Sequence, residues 1–570
     1  MNRENKSCQN CKQSFVIEPE DFAFYEKIKV PPPTFCRECR RTRRLLWRNI
    51  RTLYRGSCAL CGQATISMYA PESPYVVYCR TCWYSDKWDP TSYGRDYDFS
   101  RPFFEQFGEL LRVVPRVAIL YYGNPVNCTA SNSLLDSKNL YMCYSGIFSE
   151  DCAYSQNLDQ SRSSFDCLDA KELELCYENV DATKNYNSHH LVHTRNCLES
   201  SFLYDCSNCQ NCFMSSNLRN KQYVFRNKQY NKADYELAIK ELNTGTIATI
   251  EALRTEFRQM IKGALHKYAD INKSSNCTGD MIDSSNSVRQ SFNVYNGDNL
   301  KYCDRLLPGH KDSYDVMGGR GSELLYEGII CGSGSNTIHF FNSSDQARET
   351  DYTDWCMDVS NLFGCVSLRK KKYCILNKQY SQGEYIALHK KIIEHTTQTG
   401  EYGEFYPKEI SLFAYNETLA QEYDPLTKVE ALAKGFRWRD PDTKDYKVTL
   451  PTQNLPESID EIDDNIINET IGCAHEGKCN DGCTTAFRII PTELSLYRNM
   501  RLPIPRLCPN CRHVERLSYR NPFYLWHRQC MCDKAHSHHQ GHCSNEFETT
   551  YAPDRPEIVY CEQCYQNEVV

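Results

Sequence analysis

The sequence predicts a multidomain, mainly β protein in which cysteine-rich metal modules at both ends enclose a duplicated β-helix, or solenoid, with helical caps. Three observations support this prediction: 33 cysteines in 570 residues, many of them in Cys-x2-Cys pairs near the two ends; central cysteines that recur at a regular step; and a central motif that returns after 150 residues. At roughly 100–200 residues per domain, the length allows about three to five domains.

Composition and charge exclude several classes of protein. The odd cysteine count and a beginning without the apolar stretch of a secretory signal predict a cytoplasmic, reducing location, with thiols as metal ligands or core residues. No run approaches the roughly 18 apolar residues of a membrane span, so we expect no membrane partner. With 66 basic and 73 acidic residues the net charge is −7, so binding of nucleic acid would require a local basic patch.

The N-terminal segment, residues 1–100, contains four Cys-x2-Cys pairs. This spacing lets two thiolates bind one tetrahedral zinc ion, so that two pairs complete one site. We predict two zinc sites with these ligands: Cys8, Cys11, Cys36 and Cys39 in the first, and Cys58, Cys61, Cys79 and Cys82 in the second.

The C-terminal segment, residues 471–570, repeats these offsets. Cys39 to Cys58 spans 19 residues, and so does Cys511 to Cys530. The alignment predicts two more zinc sites, with these ligands: Cys479, Cys483, Cys508 and Cys511 in the third, and Cys530, Cys543, Cys561 and Cys564 in the fourth. Four cysteines leave no open coordination position, so we expect about four structural Zn2+ ions and no catalytic one.

A few cysteines and histidines near the C-terminal sites are left over. Cys473 and His475 match nothing in the N-terminal copy and are interpreted as bystanders, and the alignment selects Cys530 over Cys532, which becomes spare. The insertion after Cys530 carries four histidines: His536, His538, His539 and His542. They form either a solvated loop or an alternative ligand or second, weaker metal site.

The stretch from Cys8 to Arg40 combines both knuckles with Phe24-Tyr25-Glu26-Lys27 and with Pro31-Pro-Pro-Thr-Phe-Cys36. It resembles the zinc-ribbon domain family, a treble-clef-like module of undescribed function. The resemblance covers about 35 residues in each terminal segment, and the C-terminal copy departs from it by having three residues in its first knuckle. The whole arrangement is similar to uncharacterised multi-ribbon proteins. This resemblance implies a fold and a metal, and no activity.

Cysteines in the central region recur every 24 residues, at Cys128, Cys152 and Cys176 and again at Cys143 and Cys167. A period of this length predicts a solenoid with one coil per repeat. Interior free cysteine packs as a small hydrophobe, so the 15 central thiols are predicted to be core residues. The competing interpretation, a metal cluster at positions 206, 209 and 212, lacks an evident fourth ligand.

The solenoid is duplicated, because Asn227-Lys-Gln-Tyr230 returns as Asn377-Lys-Gln-Tyr380 and a helical pattern follows each. The helices are predicted to cover the ends of the solenoid. The central domain boundaries that follow are these: linker 101–122, first solenoid half 123–230, helical cap 231–270, second half 271–380, helical cap 381–398, and a linker or small α domain 399–470.

The most basic segment, residues 36–55, has eight arginines and one acid. If the second knuckle opens a helix, four of the arginines share one face, where they can contact successive phosphates while aromatic residues stack on bases. The candidate nucleic-acid contacts, with their C-terminal counterparts, are Arg37, Arg40, Arg41, Arg44, Arg48 and Trp47, and Arg512, Arg516 and Arg520. The alternative is that these arginines brace the modules, through loop carbonyls or the acidic run near Asp463.

Taken together, the sequence favours a non-enzymatic, zinc-stabilised binding protein that contacts RNA or DNA through residues 37–55 and their C-terminal counterpart. The alternative is a protein-interaction scaffold that uses the solenoid surface. A weaker alternative is a β-helix carbohydrate-active enzyme, with these residues as candidates: Asp151, Asp159, Asp166, Asp169 and Arg162. No phosphate loop, nucleophile elbow or HExxH motif occurs, and no small-molecule substrate is evident.

Overall fold

The computed structural model describes residues 2–168, 177–178, 180, 183–440 and 446–570. Over these residues the fold is mixed and rich in β-sheet, with 12 α-helices, 31 strands and cysteine clusters towards both ends of the chain. Two residues of the sequence analysis, Cys176 and Asp169, lie outside the described ranges. In the described part of the chain, no helix is long and apolar enough to cross a membrane.

The N-terminal segment contains two similar hairpin–helix units. Each unit starts with an antiparallel hairpin whose two strands flank the first pair of cysteines. It ends with a helix that begins directly after a later cysteine. The elements are β1 (Glu4–Ser7), β2 (Ser14–Ile17), α1 (Pro19–Ile28), α2 (Arg37–Leu45), β3 (Tyr54–Ser57), β4 (Ala64–Ser67), β5 (Val77–Tyr78), α3 (Arg80–Trp83), α4 (Phe103–Val113) and β6 (Arg116–Val117). Helix α1 has the Pro and the reciprocal capping contacts typical of a helix start.

The first central half is a stack of short parallel strands followed by two helices. Its elements are β7 (Tyr121–Tyr122), β8 (Asn132–Leu135), β9 (Tyr144–Ile147), β10 (His189–Val192), β11 (Ser201–Tyr204), β12 (Gln210–Ser216), β13 (Gln222–Phe225), β14 (Lys228–Gln229), α5 (Lys232–Glu241), α6 (Ile247–Gly263) and β15 (Leu265–Lys267). The second of the two helices lies across strands β11 and β12, where Phe257 packs on Phe202.

The second central half has the same organisation. Its elements are β16 (Ile271–Asn272), β17 (Gly279–Asp283), β18 (Asn286–Arg289), β19 (Ser291–Tyr295), β20 (Asp298–Lys301), β21 (Asp304–Leu306), β22 (Lys311–Gly319), β23 (Glu323–Cys331), β24 (Asn336–Val366), β25 (Lys372–Ile375), β26 (Lys378–Gln379) and α7 (Gln382–Gln398). Helix α7 follows the last strands and packs through Tyr385 on Tyr373.

The step between paired strands is 12 residues in most pairs and 11 or 13 in a few, not the 24 predicted. His189 pairs with Ser201, and Ser201 pairs with Phe213. The backbone has a positive φ at every third residue, as at 127, 130, 133 and 136, so the chain turns at each of these positions. Cysteine alternates with leucine or serine in successive steps, as in Cys128, Leu140 and Cys152, and this alternation doubled the apparent repeat.

In the central stack, most residues that follow a positive-φ position are buried, and many of them are Cys, Ser or Leu. Small side chains suit these positions because a 12-residue step encloses little space. Among the 14 described central thiols, 12 are buried and two, Cys128 and Cys277, are partly buried. The thiol of Cys143 donates to the carbonyl of Cys152 at 3.3 Å, and hydroxyls such as Ser155 accept an amide from the next step. The buried thiols among the described central residues are therefore core residues, as predicted.

The remaining elements connect and complete the C-terminal module. They are α8 (Leu419–Tyr423), α9 (Lys428–Ala433), β27 (Ile471–Gly472), β28 (Ala486–Phe487), α10 (Pro491–Met500), α11 (Pro509–Leu517), β29 (Trp526–Gln529), β30 (Glu546–Thr549), β31 (Ile558–Tyr560) and α12 (Glu562–Val569). Helices α10 and α11 repeat α1 and α2, each with its N-cap residue in extended conformation.

The arginine helix of each terminal segment, α2 or α11, packs on the central half that is farther from it in the chain. Helix α2 contacts strands β22 and β23 of the second half, and α4 contacts β24. Strand β31 pairs in parallel with β15, next to the first half, and Tyr497 of α10 packs on Tyr177. The two central halves are thereby held between the two cysteine-rich segments.

Candidate metal centres, arginine clusters and central cavity

Three cysteine quartets lie where the sequence places them, at one hairpin and one helix start each. In every hairpin the amide of the first cysteine donates to a carbonyl two residues beyond the second cysteine, at 2.8 Å for Cys8, Cys58 and Cys530. The third cysteine of the first group, Cys36, is the N-cap of α2, and its amide donates to Cys8 Sγ at 3.2 Å. Backbone geometry therefore turns the sulfurs towards one point.

The sulfur positions fit a tetrahedral metal. Within each group all four sulfurs lie within 4.8 Å of one another. The distance is 3.7 Å from Cys11 Sγ to Cys36 Sγ and 4.0 Å from Cys61 Sγ to Cys79 Sγ. A zinc ion with Zn–S bonds of about 2.3 Å places its sulfurs about 3.8 Å apart. A hydrogen bond with Cys36 lowers the pKa of Cys39 to about 5, so that one thiol of the group ionises readily.

The third group differs from the prediction. Cys473, taken from the sequence as a bystander, joins Cys483, Cys508 and Cys511 within 4.8 Å, and its amide donates to the carbonyl of Thr485 at 2.8 Å, as Cys8 does to Gln13. Cys473 Sγ accepts the amide of Cys508 at 3.2 Å, the bond that Cys36 makes to Cys8. The first ligand position is therefore held by Cys473, not Cys479.

Cys479 is instead a fifth thiol beside this group, with its Sγ 3.7 Å from Cys511 Sγ. It lies in an insertion between the first and second cysteines of the knuckle. The insertion replaces the two residues of the N-terminal knuckle by nine, from 474 to 482, and so the spacing alone did not identify the first ligand.

The arginines of α2 are buried against carboxylates of the second central half. The carboxylate of Asp315, which has no exposed surface, forms ion pairs with the guanidinium groups of Arg40 and Arg44. The N–O distances are 2.8 and 3.0 Å. Arg41 pairs with Asp304 at 3.0 Å, and Arg43 lies 3.3 Å from a carboxylate oxygen of Glu327. Their side chains are between 2% and 10% exposed. Such buried charges are tolerated only because each has a partner of opposite sign.

The C-terminal copy repeats this arrangement on the first central half. Arg512 and Arg516 of α11 both pair with Asp166, at 3.0 and 2.7 Å. A tyrosine ring lies under the guanidinium in both copies, Tyr302 under Arg40 at 5.2 Å and Tyr154 under Arg512 at 4.9 Å. The two copies thus use the same ion-pair geometry.

These contacts correct the interpretation of the arginines as phosphate contacts. Arg40, Arg41, Arg44, Arg512 and Arg516 are buried and paired inside the protein. The other candidates are also occupied or covered: Trp47 is 2% exposed and packs on Tyr406, Arg37 lies over Phe292, and Arg520 is half-buried. Bracing, the alternative, is what the structure shows, but the partners are Asp315 and Asp166 and not the run near Asp463.

Among the described candidates for the carbohydrate-active enzyme, Asp151, Asp159 and Asp166 are not gathered into one catalytic group. Asp166 is buried between Arg512 and Arg516, and Asp151, which is exposed, accepts a hydrogen bond from Asn139 at 2.7 Å. Asp159 faces a different part of the protein, the cavity described next.

A cavity of about 440 Å3 lies between the two central halves. Its walls come from both, with Ser133 and Leu158 from the first half and Met317 and Ile329 from the second. The size is within the usual range for small-molecule sites. The sequence analysis gave no indication of this cavity, because it depends on how the two halves face each other.

Arg48, three residues after the end of α2, is the most unusual lining residue. It is 3% exposed, and hydroxyls lie against its guanidinium: Ser133 Oγ accepts from Nη2 at 2.6 Å, and Ser343 Oγ accepts from Nη1 at 3.5 Å. Its Nε has no hydrogen-bond partner among the described residues, which also supply no ion pair. Burial lowers the pKa of Arg48, and the nearby charge of Arg305, another lining residue, acts in the same direction.

Comparison of the chain with protein-family models, with curated proteins and with solved structures finds no match. The class of protein is therefore defined by the structure itself, as a sheet-rich protein with four cysteine quartets that can hold metal.

Proposed function

We propose that the protein is a zinc-stabilised binding protein whose central cavity holds a small organic anion. Each of the four quartets holds one structural Zn2+ in a zinc-ribbon-like module, and the stacked 12-residue steps form two β-solenoid halves. The modules hold these halves face to face, and the cavity lies at the contact between them.

The observation that carries the proposal is the buried guanidinium of Arg48. A charge removed from water is costly unless it is paired, and Arg40, Arg41 and Arg44 of the preceding helix α2 all have carboxylate partners. Arg48 has hydroxyls and a cavity instead. A carboxylate or phosphate group of a ligand supplies the missing charge, and bidentate contact with guanidinium suits both.

A second polar atom favours a ligand with a donor group as well. Asp159 lines the cavity, and its Oδ1 is buried without a hydrogen-bond partner among the described residues. A hydroxyl or amine of the ligand fits this acceptor. The protein-interaction scaffold remains a prediction from the sequence, whereas nucleic-acid binding through the buried arginines is not proposed.

The test compares Arg48→Met with Arg44→Met, a variant of the preceding helix α2. If Arg48 serves a ligand, removing its unpaired charge raises the free energy of unfolding of the ligand-free protein, whereas Arg44→Met lowers it because Asp315 loses a partner. Inorganic phosphate or citrate should raise the melting temperature of the wild type and not that of Arg48→Met. Comparing the two anions separates phosphate from carboxylate recognition.

Mass spectrometry of small molecules released by denaturing the purified wild type identifies any anion that is retained. The proposal fails if Arg48→Met destabilises the protein as strongly as Arg44→Met and neither anion alters the melting temperature of the wild type, because Arg48 would then be a structural contact between Ser133 and Ser343.

A further inference from the structure

The insertion in the fourth cysteine group folds into a compact loop. His536 and His539 exchange backbone hydrogen bonds at 3.0 and 3.3 Å, and the amide of Cys543 donates to the carbonyl of Cys532 at 2.8 Å. Residues 531–542, which connect Cys530 to Cys543, are thereby folded back over the fourth cysteine group. A solvated loop, one of the two interpretations of the sequence, does not require this closure.

The loop brings a second set of metal-ligand atoms together. Cys532, His536, His539 and Cys564 have their donor atoms within 4.8 Å of one another. Cys532 Sγ lies 3.3 Å from His536 Nε2, and His539 Nε2 lies 3.2 Å from Cys564 Sγ. Two thiolates and two imidazoles form a common structural zinc set. Both thiols are fully buried, which suits structural ligands better than exposed reactive cysteines.

The orientation of His539 also fits a ligand. Its Nδ1 lies 2.8 Å from the carbonyl oxygen of Gly541, which requires the proton to be on Nδ1. The lone pair of Nε2 is then directed towards Cys564. A backbone carbonyl that fixes the tautomer in this way is the usual second-shell partner of a metal-bound histidine.

We propose that the fourth module holds two metal ions, and that Cys564 bridges them. One ion is bound by Cys530, Cys543, Cys561 and Cys564, and the other by the loop set in which Cys564 recurs. A thiolate sulfur has lone pairs for two metals. The second ion also reduces the buried negative charge, because four thiolates around one Zn2+ carry a net charge of −2, whereas five thiolates around two carry −1.

In the sequence, the other three groups lack an insertion with several histidines. The aligned N-terminal group has a two-residue knuckle between Cys58 and Cys61, and the third group offers only Cys479 as an extra thiol at close range. The proposal therefore predicts five zinc ions per chain where four quartets alone predict four. It does not depend on the ligand of the central cavity.

The test is the zinc content of the full chain, measured by elemental analysis and by native mass spectrometry. We expect five ions in the wild type and four in the double variant His536→Ala with His539→Ala. The matched control is His527→Ala, an exposed histidine of the same module that pairs with Glu546 and Glu548, and it should keep five. Four ions in the wild type would overturn the proposal.

Cadmium substitution tests the bridge separately. In 113Cd-loaded wild type, the bridging sulfur should couple two of five resonances, and Cys532→Ala should remove one of the coupled pair and leave the rest. Five uncoupled resonances would contradict the bridge, and four resonances that are unchanged by Cys532→Ala would contradict the second site. Because the loop substitutions spare all four ligands of the quartet, loss of folding of the whole module is not expected.

Discussion

Single residues in this protein are placed by the narrow interior of the 12-residue steps. Most buried positions that follow a positive φ hold small or apolar side chains, and a larger polar residue there is removed from solvent. His310 is such a residue, with no exposed surface. Burial lowers its pKa to about 4, although a backbone contact at Gly319 opposes the shift. The imidazole is therefore neutral in the folded protein at neutral pH.

This shift predicts acid sensitivity. In the unfolded chain the pKa returns to about 6.5, so the unfolded state binds more protons between pH 6.5 and 4. The stability that His310 contributes is complete above pH 6.5 and is lost as the pH falls towards 4. Between pH 7 and 5.5 the loss is about 1.2 kcal/mol. We expect His310→Gln to reduce the acid-induced drop in unfolding free energy by about this amount, as measured by urea denaturation.

His527→Gln is the control for this measurement. His527 is exposed, and hydrogen bonds with Glu548 and Glu546 raise its pKa, so its protonation on folding has the opposite sign. The acid-induced drop should not become smaller in this variant. Zinc release at low pH affects all three proteins alike and cancels in the comparison, so an equal drop in wild type and His310→Gln would contradict the prediction.

At the scale of elements, helix α2 is bound to the sheet by ion pairs that have lost their water. Asp315 lies between Arg40 and Arg44 with no exposed surface. Removing its carboxylate leaves both guanidinium groups buried without a close negative charge. The next carboxylate, Glu327, is farther away, at 3.7 Å from Arg40 and 4.0 Å from Arg44. Burial raises the pKa of Glu327, so this second carboxylate compensates poorly.

We therefore expect Asp315→Ala to lower the free energy of unfolding by about 3–5 kcal/mol. Asp312→Ala, on the same strand, removes a partly exposed pair with Lys27 and should cost no more than about 1 kcal/mol. Urea denaturation of the zinc-loaded proteins measures both. Similar small losses in the two variants would mean that water reaches the cluster and that α2 is held mainly by apolar contacts.

The sequence predicts helix α2 but not its partners. The second knuckle does open a helix and its arginines do share faces, and the helix ends at Leu45. An arginine stripe has the same pattern whether phosphates or buried carboxylates pair with it. One sign was present: Asp315 and Glu327 are 12 residues apart, one step of the stack, and Asp166 and Glu178 repeat them 149 residues earlier.

Metal ligands were more predictable than ion pairs, because a knuckle is local in sequence. The twelve ligands proposed for sites one, two and four come together as quartets. The sequence did not identify Cys473 as a ligand because nine residues, and not two, separate the cysteines of its knuckle. The 12-residue step was not predicted for a different reason. Equivalent positions in successive steps carry different residues, such as Cys and Leu, so identical residues recur only every 24.

Over the whole molecule, the two cysteine-rich segments act as clamps on distant parts of the chain. The N-terminal metal site supports α2, whose arginines reach Asp304 and Asp315 in the second central half. The third site supports α11, whose arginines reach Asp166 in the first half. Structural zinc commonly contributes about 10–16 kcal/mol to the folding of such small modules, so losing one site should release its helix and the strands beneath it.

This exchange of partners leads to a prediction about hydrogen exchange. In the double variant Cys11→Ser with Cys39→Ser, amides of β22 and β23 should exchange about tenfold faster or more, equivalent to at least about 1.4 kcal/mol of local stability. Strands β8 and β9 are much nearer in sequence but do not contact α2 through its ion pairs, and they should change less.

The reciprocal variant, Cys483→Ser with Cys511→Ser, supplies the control. It removes the third site, so faster exchange should appear near Asp166, at residues 153–168, while β22 and β23 keep their protection. If each double variant instead loosens the half next to it in the chain, the contacts across the molecule do not carry the stability. Loosening of both halves in both variants would mean that the two halves and their modules unfold as one cooperative unit, with the central cavity lost at the same time.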